Sequence, residues 1–195
     1  MPRVKRVLLI VGILLIVAIG GAIAYLTLRH KGGSVNDLAS KPQTFAGFTL
    51  TSPAFLNGKP IPVKYTCKAE NLSPPLQIVG RPVATRSFAL ILHDPDAVGN
   101  DFTHWTVWNI SASTQNIDEG RLPPEATVGA NGTDNSGYIG PCPPAGTGTH
   151  HYIFDLYALD TNLNLPTGAS VAQLRAAMRN HQIAHTRLTG LFTAD

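Results

Sequence analysis

Charge is scarce in this chain, and one long stretch has none. Asp, Glu, Lys and Arg make up 14% of the 195 residues, and residues 7–28 contain none of them. About 22 apolar residues form roughly 33 Å of helix, enough to cross a bilayer core of about 30 Å. We therefore predict a membrane anchor within residues 1–31, with a cytoplasmic N-terminus because Arg3, Lys5 and Arg6 precede the apolar run.

A cleaved signal peptide is the alternative for the same segment. Its apolar core would be residues 7–19, and Ala22, Ile23 and Ala24 would supply the cleavage pattern. The apolar run continues to Leu28, which favours an uncleaved, single-pass anchor. Either alternative exports the remainder of the chain, which is secreted if the segment is removed.

The positive net charge does not indicate a nucleic-acid partner. The chain has 15 Lys and Arg against 12 Asp and Glu, a formal charge of +3. Five of the basic residues lie in or beside the anchor, namely Arg3, Lys5, Arg6, Arg29 and Lys31. The remainder therefore carries ten basic and twelve acidic side chains, and we expect no nucleic-acid binding.

Cysteine and several catalytic motifs are also scarce or missing. Cys67 and Cys142 are the two cysteines, a weak basis for a zinc site. In an exported domain an even pair is compatible with a disulfide, and two buried free thiols are an equal alternative. No nucleophile-elbow sequence is present, and the possible metal ligands Asp94, Asp96, His104 and His150 include no two histidines at helical spacing. We predict no cofactor, no metal and no enzymatic activity.

The exported part reads as a linker followed by one domain rich in strands. Residues 32–44 are small and polar, as a tether is, and the domain is predicted at 45–195. A hairpin is predicted within 49–65, with its second strand at a sheet edge because of Pro60 and Pro62. Further strands are predicted at 76–79, 87–93, 105–110, 152–159 and 185–192, and one helix after the N-cap Ser170.

The polar residues of the domain gather at strand ends. Residues 87–93 form an apolar run typical of a strand buried on both faces, and Asp94-Pro95-Asp96 ends it. His104 opens the next strand, and His150 and Tyr152 share one face of a later strand while His151 takes the other. His93 and His151 are predicted to be structural or exposed. The Pro-rich loop at 131–148 is long enough to be functional.

Six segments, in this order and spacing, resemble the phosphatidylethanolamine-binding protein family in its bacterial and archaeal, Raf-kinase-inhibitor-like branch. They are YTCKAENLSPPL (65–76), SFALILHDPDA (87–97), HWTVWNI (104–110), GPCPP (140–144), HHYIFDLYALD (150–160) and GAS…LRAAMRNH (168–181). The resemblance implies a mostly β fold, with two packed antiparallel sheets and a C-terminal helix behind the transmembrane segment. Its departures are Val98, Ile78 and His151, where the family commonly has Pro, Trp and Arg.

The resemblance also implies a shallow pocket for phosphate or a phosphoethanolamine headgroup. Its residues would be Asp94, Asp96, His104, Gly140, His150 and Tyr152. The histidines and Tyr152 would donate to phosphate oxygens, the carboxylates would orient the imidazoles, and the amide near Gly140 would approach the oxyanion. Pro95 and Pro141 would shape the surrounding loops, with cis and trans peptides both open.

Three hypotheses follow for the function. The first is a non-enzymatic, membrane-anchored binding protein for a phosphate-bearing small molecule or a lipid headgroup. The alternative is a protease inhibitor or signalling regulator that acts through protein contacts, for which the 131–148 loop is the predicted surface. The third and weakest is a metal-assisted phosphoester hydrolase built on Asp94, Asp96, His104 and His150.

Overall fold

The computed structural model describes residues 45–194. The predicted anchor at residues 7–28 and the predicted linker at 32–44 lie outside these residues. Within the described range, no helix is long and apolar enough to cross a bilayer.

Residues 45–194 form nine strands and one α-helix, together with a 3-10 helix at Val63–Tyr65. The strands are β1 (Thr49–Thr51), β2 (Lys59–Pro60), β3 (Leu76–Val79), β4 (Ser87–Asp94), β5 (Phe102–Ser111), β6 (Asn116–Ile117), β7 (Thr127–Val128), β8 (Thr149–Leu159) and β9 (Gln182–Thr193). The α-helix, α1, is Val171–Met178. The domain is therefore mostly β, with one helix late in the chain, as the sequence predicts.

Strand β4 is buried along its whole length. It pairs with β5 on one side and with β8 on the other. Phe88, Leu90 and Leu92 belong to the core between the two sheets, whereas Ala89 and Ile91 belong to a second apolar cluster under α1. Because both faces of β4 meet apolar neighbours, its sequence shows no alternation of polar and apolar residues. The predicted burial on both faces is confirmed.

Two sheets of unequal size make up the domain. The larger has the strand order β2-β9-β8-β4-β5-β7, and the smaller has the order β1-β3-β6. Their pairings are antiparallel with one exception, since β2 runs parallel to β9. The two packed sheets are confirmed, and the expectation that both are wholly antiparallel is corrected at this edge.

The predicted hairpin within residues 49–65 is wrong. Strand β1 pairs with β3 in the small sheet, whereas β2 pairs with β9 in the large one. A turn does form at Asn57 and Gly58, but the Asn57 side chain accepts from the Thr189 amide at 2.9 Å, and the Gly58 amide donates to the Thr189 carbonyl. A contact with a distant strand thus replaces the local pairing. Pro60 lies in an edge strand, as predicted, so its lack of an N–H group removes no hydrogen bond between strands.

Helix α1 is fixed at its start by side-chain hydrogen bonds. The Ser170 hydroxyl accepts from the Gln173 amide, and the Gln173 side chain accepts from the Ser170 amide, which together form a capping box. Leu174 and Met178 are buried one helical turn apart and pack on the outer face of the large sheet. The predicted helix and its predicted N-cap are both confirmed.

Replacement of Leu174 by Ala tests how much α1 contributes to the fold. The side chain is fully buried, so Leu174→Ala is expected to lower the free energy of unfolding by about 2–5 kcal/mol in urea titration. Leu56→Ala is the matched control, because Leu56 is 73% exposed and its loss should change stability by less than about 0.5 kcal/mol. Equal effects from the two variants would contradict this account of the helix.

Candidate functional site

A cavity of about 150 Å³ opens where β4 ends and where β5 and β8 begin. Five of the six predicted site residues line it, namely Asp94, His104, Gly140, His150 and Tyr152. The walls are mostly apolar and consist of Ala97, Val98, Phe102, Ile139, Cys142, Pro143 and Pro144. The cavity lining contains neither lysine nor arginine.

A bulge in β5 turns His104 towards the cavity. Leu92 pairs with Trp105 and His93 pairs with Thr103, so His104 has no partner across the strand pair. Bulges of this kind re-aim a side chain next to many functional sites. The edge of the His104 ring contacts the Tyr152 ring, with 5.1 Å between the ring centroids.

The protonation of His104 is set by its surroundings. Its Nδ1 lies 2.7 Å from the carbonyl oxygen of Ile139 and must donate to it, since a carbonyl only accepts. Burial lowers the pKa of His104, against the opposing effects of this hydrogen bond and of the Asp94 charge. A neutral ring with its hydrogen on Nδ1 leaves Nε2 with a lone pair.

Asp94 and His150 form a buried pair at the floor of the cavity. His150 Nδ1 donates to Asp94 Oδ2 at 2.7 Å, and the Asp96 amide donates to Asp94 Oδ1 at 2.9 Å. On the other side of the ring, His150 Nε2 lies 2.9 Å from Thr147 Oγ1, whose hydroxyl donates to the Pro144 carbonyl. Both ring nitrogens of His150 therefore lie within hydrogen-bond distance of a partner, and the ring is held in place between Asp94 and Thr147.

Asp96 lies outside the cavity, contrary to its predicted place in the pocket. Its Oδ2 accepts from both the amide and the Nδ1 of His151, at 2.8 and 2.7 Å, and both side chains are exposed. The hydrogen bonds from His151 hold the pKa of Asp96 below its ordinary value. Strand alternation explains the separation, since His151 points away from the face that carries His150.

Gly140 lines the cavity for a different reason from the one predicted. Its amide donates to Asn71 Oδ1 at 2.7 Å and is therefore already engaged. A Cβ atom at this position would lie 2.5 Å from the carbonyl oxygen of Tyr65 and 2.9 Å from Thr66 Cα. Glycine is thus needed where the loop packs against the segment behind it, on the side away from a ligand.

The segment behind Gly140, residues 65–67, holds the cavity rim through several contacts. Cys67 and Cys142 are joined by a disulfide, and the Cys67 amide donates to the Pro141 carbonyl at 3.1 Å. The Tyr138 hydroxyl donates to the Tyr65 carbonyl at 2.6 Å. Of the two alternatives for the cysteines, the structure contains the disulfide and not two free thiols. Within residues 45–194 there is no cis peptide bond, so Pro95 and Pro141 are both trans.

Tyr152 presents a buried hydroxyl at the cavity. The residue is fully buried, and its hydroxyl makes no hydrogen bond of ordinary length and angle among residues 45–194, although Asp94 and the Cys142 backbone lie near enough to affect its pKa. Burial, with the Asp94 charge in second place, raises the pKa of Tyr152, so the hydroxyl keeps its hydrogen. A buried polar group without a partner costs about 1–3 kcal/mol, which a ligand acceptor would relieve.

An ionic cluster lies on the opposite face of the large sheet, centred on the buried carboxylate of Asp155. The Asp155 carboxylate accepts hydrogen bonds from His185 Nε2 at 2.8 Å, from Arg187 Nε at 2.7 Å and from His93 Nε2 at 3.3 Å. Burial opposes the charge of Asp155, but these three donors outweigh it and hold the pKa of Asp155 below its ordinary value. His93 is structural, as predicted. Sequence reasoning missed the cluster, although Asp155, the single acidic residue within the apolar run 152–159, was a sign of it.

The arrangement of the cavity suits recognition of a small polar group. Its floor offers the Tyr152 hydroxyl and the His104 Nε2, and its apolar walls keep competing water away, which strengthens hydrogen bonds. Within the described range, no group of three or more His, Cys, Asp or Glu side chains is placed to hold a metal ion. The metal set suggested by the sequence is not assembled, because Asp96 pairs with His151 outside the cavity.

Removal of the disulfide tests how the rim is held. It closes a loop of 75 residues, so the Cys67→Ser, Cys142→Ser double variant should lose about 4 kcal/mol of unfolding free energy in urea titration. Adding reductant should destabilise the parent domain by a similar amount and leave the double variant unchanged. A parent domain that reductant does not destabilise would contradict a structural role for this bond.

Known proteins share the sequence and the fold of this chain. A UPF0098 protein of Pyrococcus horikoshii is 45% identical over 149 residues, which cover 72% of this chain and 74% of that protein. A Mycobacterium tuberculosis protein named lipoprotein LppC is 42% identical over 144 residues, 74% of this chain and 71% of the relative.

Two solved structures have the same fold. A phosphatidylethanolamine-binding protein homologue of Chlamydia trachomatis is 38% identical with a TM-score of 0.72, covering 76% of this chain and 98% of that one. YbcL of E. coli is 31% identical with a TM-score of 0.72, covering 76% and 99%. The sequence model described as phosphatidylethanolamine-binding protein matches residues 51–193. The chain belongs to the phosphatidylethanolamine-binding protein family, and its relatives are consistent with the bacterial and archaeal branch.

Proposed function

We propose that the exported domain is a non-enzymatic binding protein whose cavity takes the phosphate group of a small molecule or a lipid headgroup. The observation that carries this proposal is the buried Tyr152 hydroxyl, which reaches the cavity without a hydrogen bond of ordinary geometry among the described residues. A phosphate oxygen is a strong acceptor and would satisfy that hydroxyl. The name of the family points to the same ligand class.

The size of the cavity supports a small polar group. Its volume of about 150 Å³ exceeds the roughly 10–15 Å³ that one water molecule needs by the same measure. The cavity is open at the rim, where Val98 is 77% exposed, so the remainder of a larger molecule would extend past this side chain into solvent. The ligand would be held by its phosphate group and by apolar contact at the walls.

No hydroxyl at the cavity is clearly activated as a nucleophile among the residues that the structure describes, and this supports a binding role over catalysis. Thr147, His150 and Asp94 lie in hydrogen-bonding order, as nucleophile, base and acid do in a catalytic triad. The Thr147 hydroxyl, however, donates to the Pro144 carbonyl, which competes with His150 for its hydrogen. The alternative of a protease inhibitor or signalling regulator stays a prediction from the sequence.

Replacement of Tyr152 by Phe, which removes only the hydroxyl group, tests the proposal. Tyr152→Phe is expected to weaken binding of inorganic phosphate or phosphoethanolamine about five- to tenfold, the value of one hydrogen bond, in calorimetric titration. Its stability should stay equal or rise, because an unsatisfied buried hydroxyl is removed. Tyr138→Phe is the matched control and should lose about 1 kcal/mol of stability, since that hydroxyl donates to the Tyr65 carbonyl.

Further variants define the outcome that would contradict the proposal. His104→Ala and His150→Ala should also weaken binding, whereas His181→Ala should not, because His181 pairs with Asp160 at the surface. If the parent domain binds neither phosphate nor phosphoethanolamine in calorimetry or in NMR titration, the proposed function is wrong.

We also propose that residues 7–28 anchor the domain, with residues 32–44 as a tether and the domain outside the cytoplasm. The uncharged run supports an anchor, and one relative is named a lipoprotein, which is consistent with attachment to a membrane. The full chain should stay in the membrane pellet after an alkaline carbonate wash, and a variant lacking residues 2–31 should not. A mature N-terminus just after Ala24, found by mass spectrometry, would instead identify a cleaved signal peptide.

A further inference from the structure

Two polar groups of the cavity remain available for a ligand. The nitrogens of His150 and the oxygens of Asp94 already take part in hydrogen bonds, and the Gly140 amide is bound to Asn71. The remaining groups are the Tyr152 hydroxyl, which makes no hydrogen bond of ordinary geometry among the described residues, and His104 Nε2, since the hydrogen bond of that ring is made by Nδ1. One of these groups donates a hydrogen, whereas the other is an acceptor.

His104 is held as an acceptor by its neighbours. The Ile139 carbonyl fixes the ring hydrogen on Nδ1 and directs the lone pair of Nε2 away from that contact. The charged and titratable groups around it are Asp94 and His93 on β4, Asp101 in the loop before β5, and Tyr152 on β8. Asp94 is hydrogen-bonded to His150, and burial keeps the pKa of His104 low in spite of Asp94 and Asp101.

A fully ionised phosphate does not match such a pair of groups. Its oxygens are all acceptors, so one of them would meet the lone pair of Nε2 with no hydrogen between the two atoms. No lysine or arginine lines the cavity to balance a double negative charge. A phosphate that carries one hydrogen fits, because its hydroxyl donates to Nε2 while another oxygen accepts from Tyr152.

We infer that the cavity selects a phosphate group that brings a hydrogen to His104 Nε2, and therefore a phosphomonoester or free phosphate over a phosphodiester such as an intact phospholipid. This inference rests on the proposed function and narrows its ligand. A monoester has a second pKa near 6 and is partly protonated at neutral pH. A diester has no second ionisable hydrogen and cannot make this contact.

The hydrogen balance predicts a pH dependence. The complex contains one proton more than the ligand dianion and the neutral His104, whether that proton stays on the ligand or moves to Nε2. Affinity for a monoester should therefore be highest below the second pKa of the ligand and fall as pH rises through it. With that pKa near 6, the apparent Kd rises about fifty-fold between pH 6 and pH 8.

Calorimetric titration of the exported domain with methyl phosphate and dimethyl phosphate tests the inference. Methyl phosphate should bind at least tenfold more tightly than dimethyl phosphate at pH 6 and weaken about fifty-fold by pH 8, whereas the weak binding of dimethyl phosphate should not change with pH. Titrations at pH 8 in two buffers of different ionisation enthalpy should show uptake of about one proton per methyl phosphate bound.

Two variants separate His104 from the rest of the cavity. His104→Gln replaces the ring by an amide that can donate, so proton uptake and the preference for the monoester should both be lost. Tyr152→Phe keeps His104 and should bind more weakly with the same proton uptake and the same preference. The second variant keeps the test decisive if the first does not fold.

The possible failures are distinguishable. Methyl phosphate binding without proton uptake at pH 8, or equal affinity for the two esters, would overturn this inference and leave the proposed function intact. If neither ester, nor inorganic phosphate, binds at pH 6, the proposed function fails and this inference fails with it.

Discussion

The hydrogen bond between His150 and Asp94 connects the fold to the candidate site. Asp94 is the last residue of a strand whose apolar residues all belong to the core clusters, and His150 is the second residue of the neighbouring strand. Both side chains are almost fully buried, so the hydrogen bond between them replaces contacts that each would otherwise make with water. The pairing of β4 with β8 sets the distance between the two side chains. The Asp94 carboxylate also accepts a hydrogen bond from the Asp96 amide in the following turn. The floor of the cavity therefore follows directly from the register of two core strands.

Local patterns in the sequence predicted much of this architecture. The apolar run of β4, the capping residue Ser170 and the alternation around His150 each reflect neighbours within a few positions along the chain. The same holds for five of the six pocket residues, which lie in motifs that resemble the family. Where such short-range information was sufficient, the predicted elements and the predicted grouping agree with the structure.

The features that the sequence did not predict depend on contacts between distant segments. The turn at Asn57 looked like the centre of a hairpin, but its partner is Thr189 in the last strand. The Gly140 amide looked available to an anion, but Asn71 occupies it across 69 positions of the chain. Asp96 was grouped with Asp94 because they are two residues apart, and its pairing with His151 became visible only once β8 was placed beside β4. No local periodicity encodes such pairings.

The burial of β4 on both faces also limits how ligand preference can change during evolution. Asp94, His150 and Tyr152 are buried as well as lining the cavity, so a substitution there that alters recognition also removes packing or leaves a buried polar group unpaired. The rim has no such constraint, since Val98 is largely exposed and contributes little to the core. We therefore expect proteins of this fold to diversify their ligands through the loop that carries Val98, while the floor beneath it changes little.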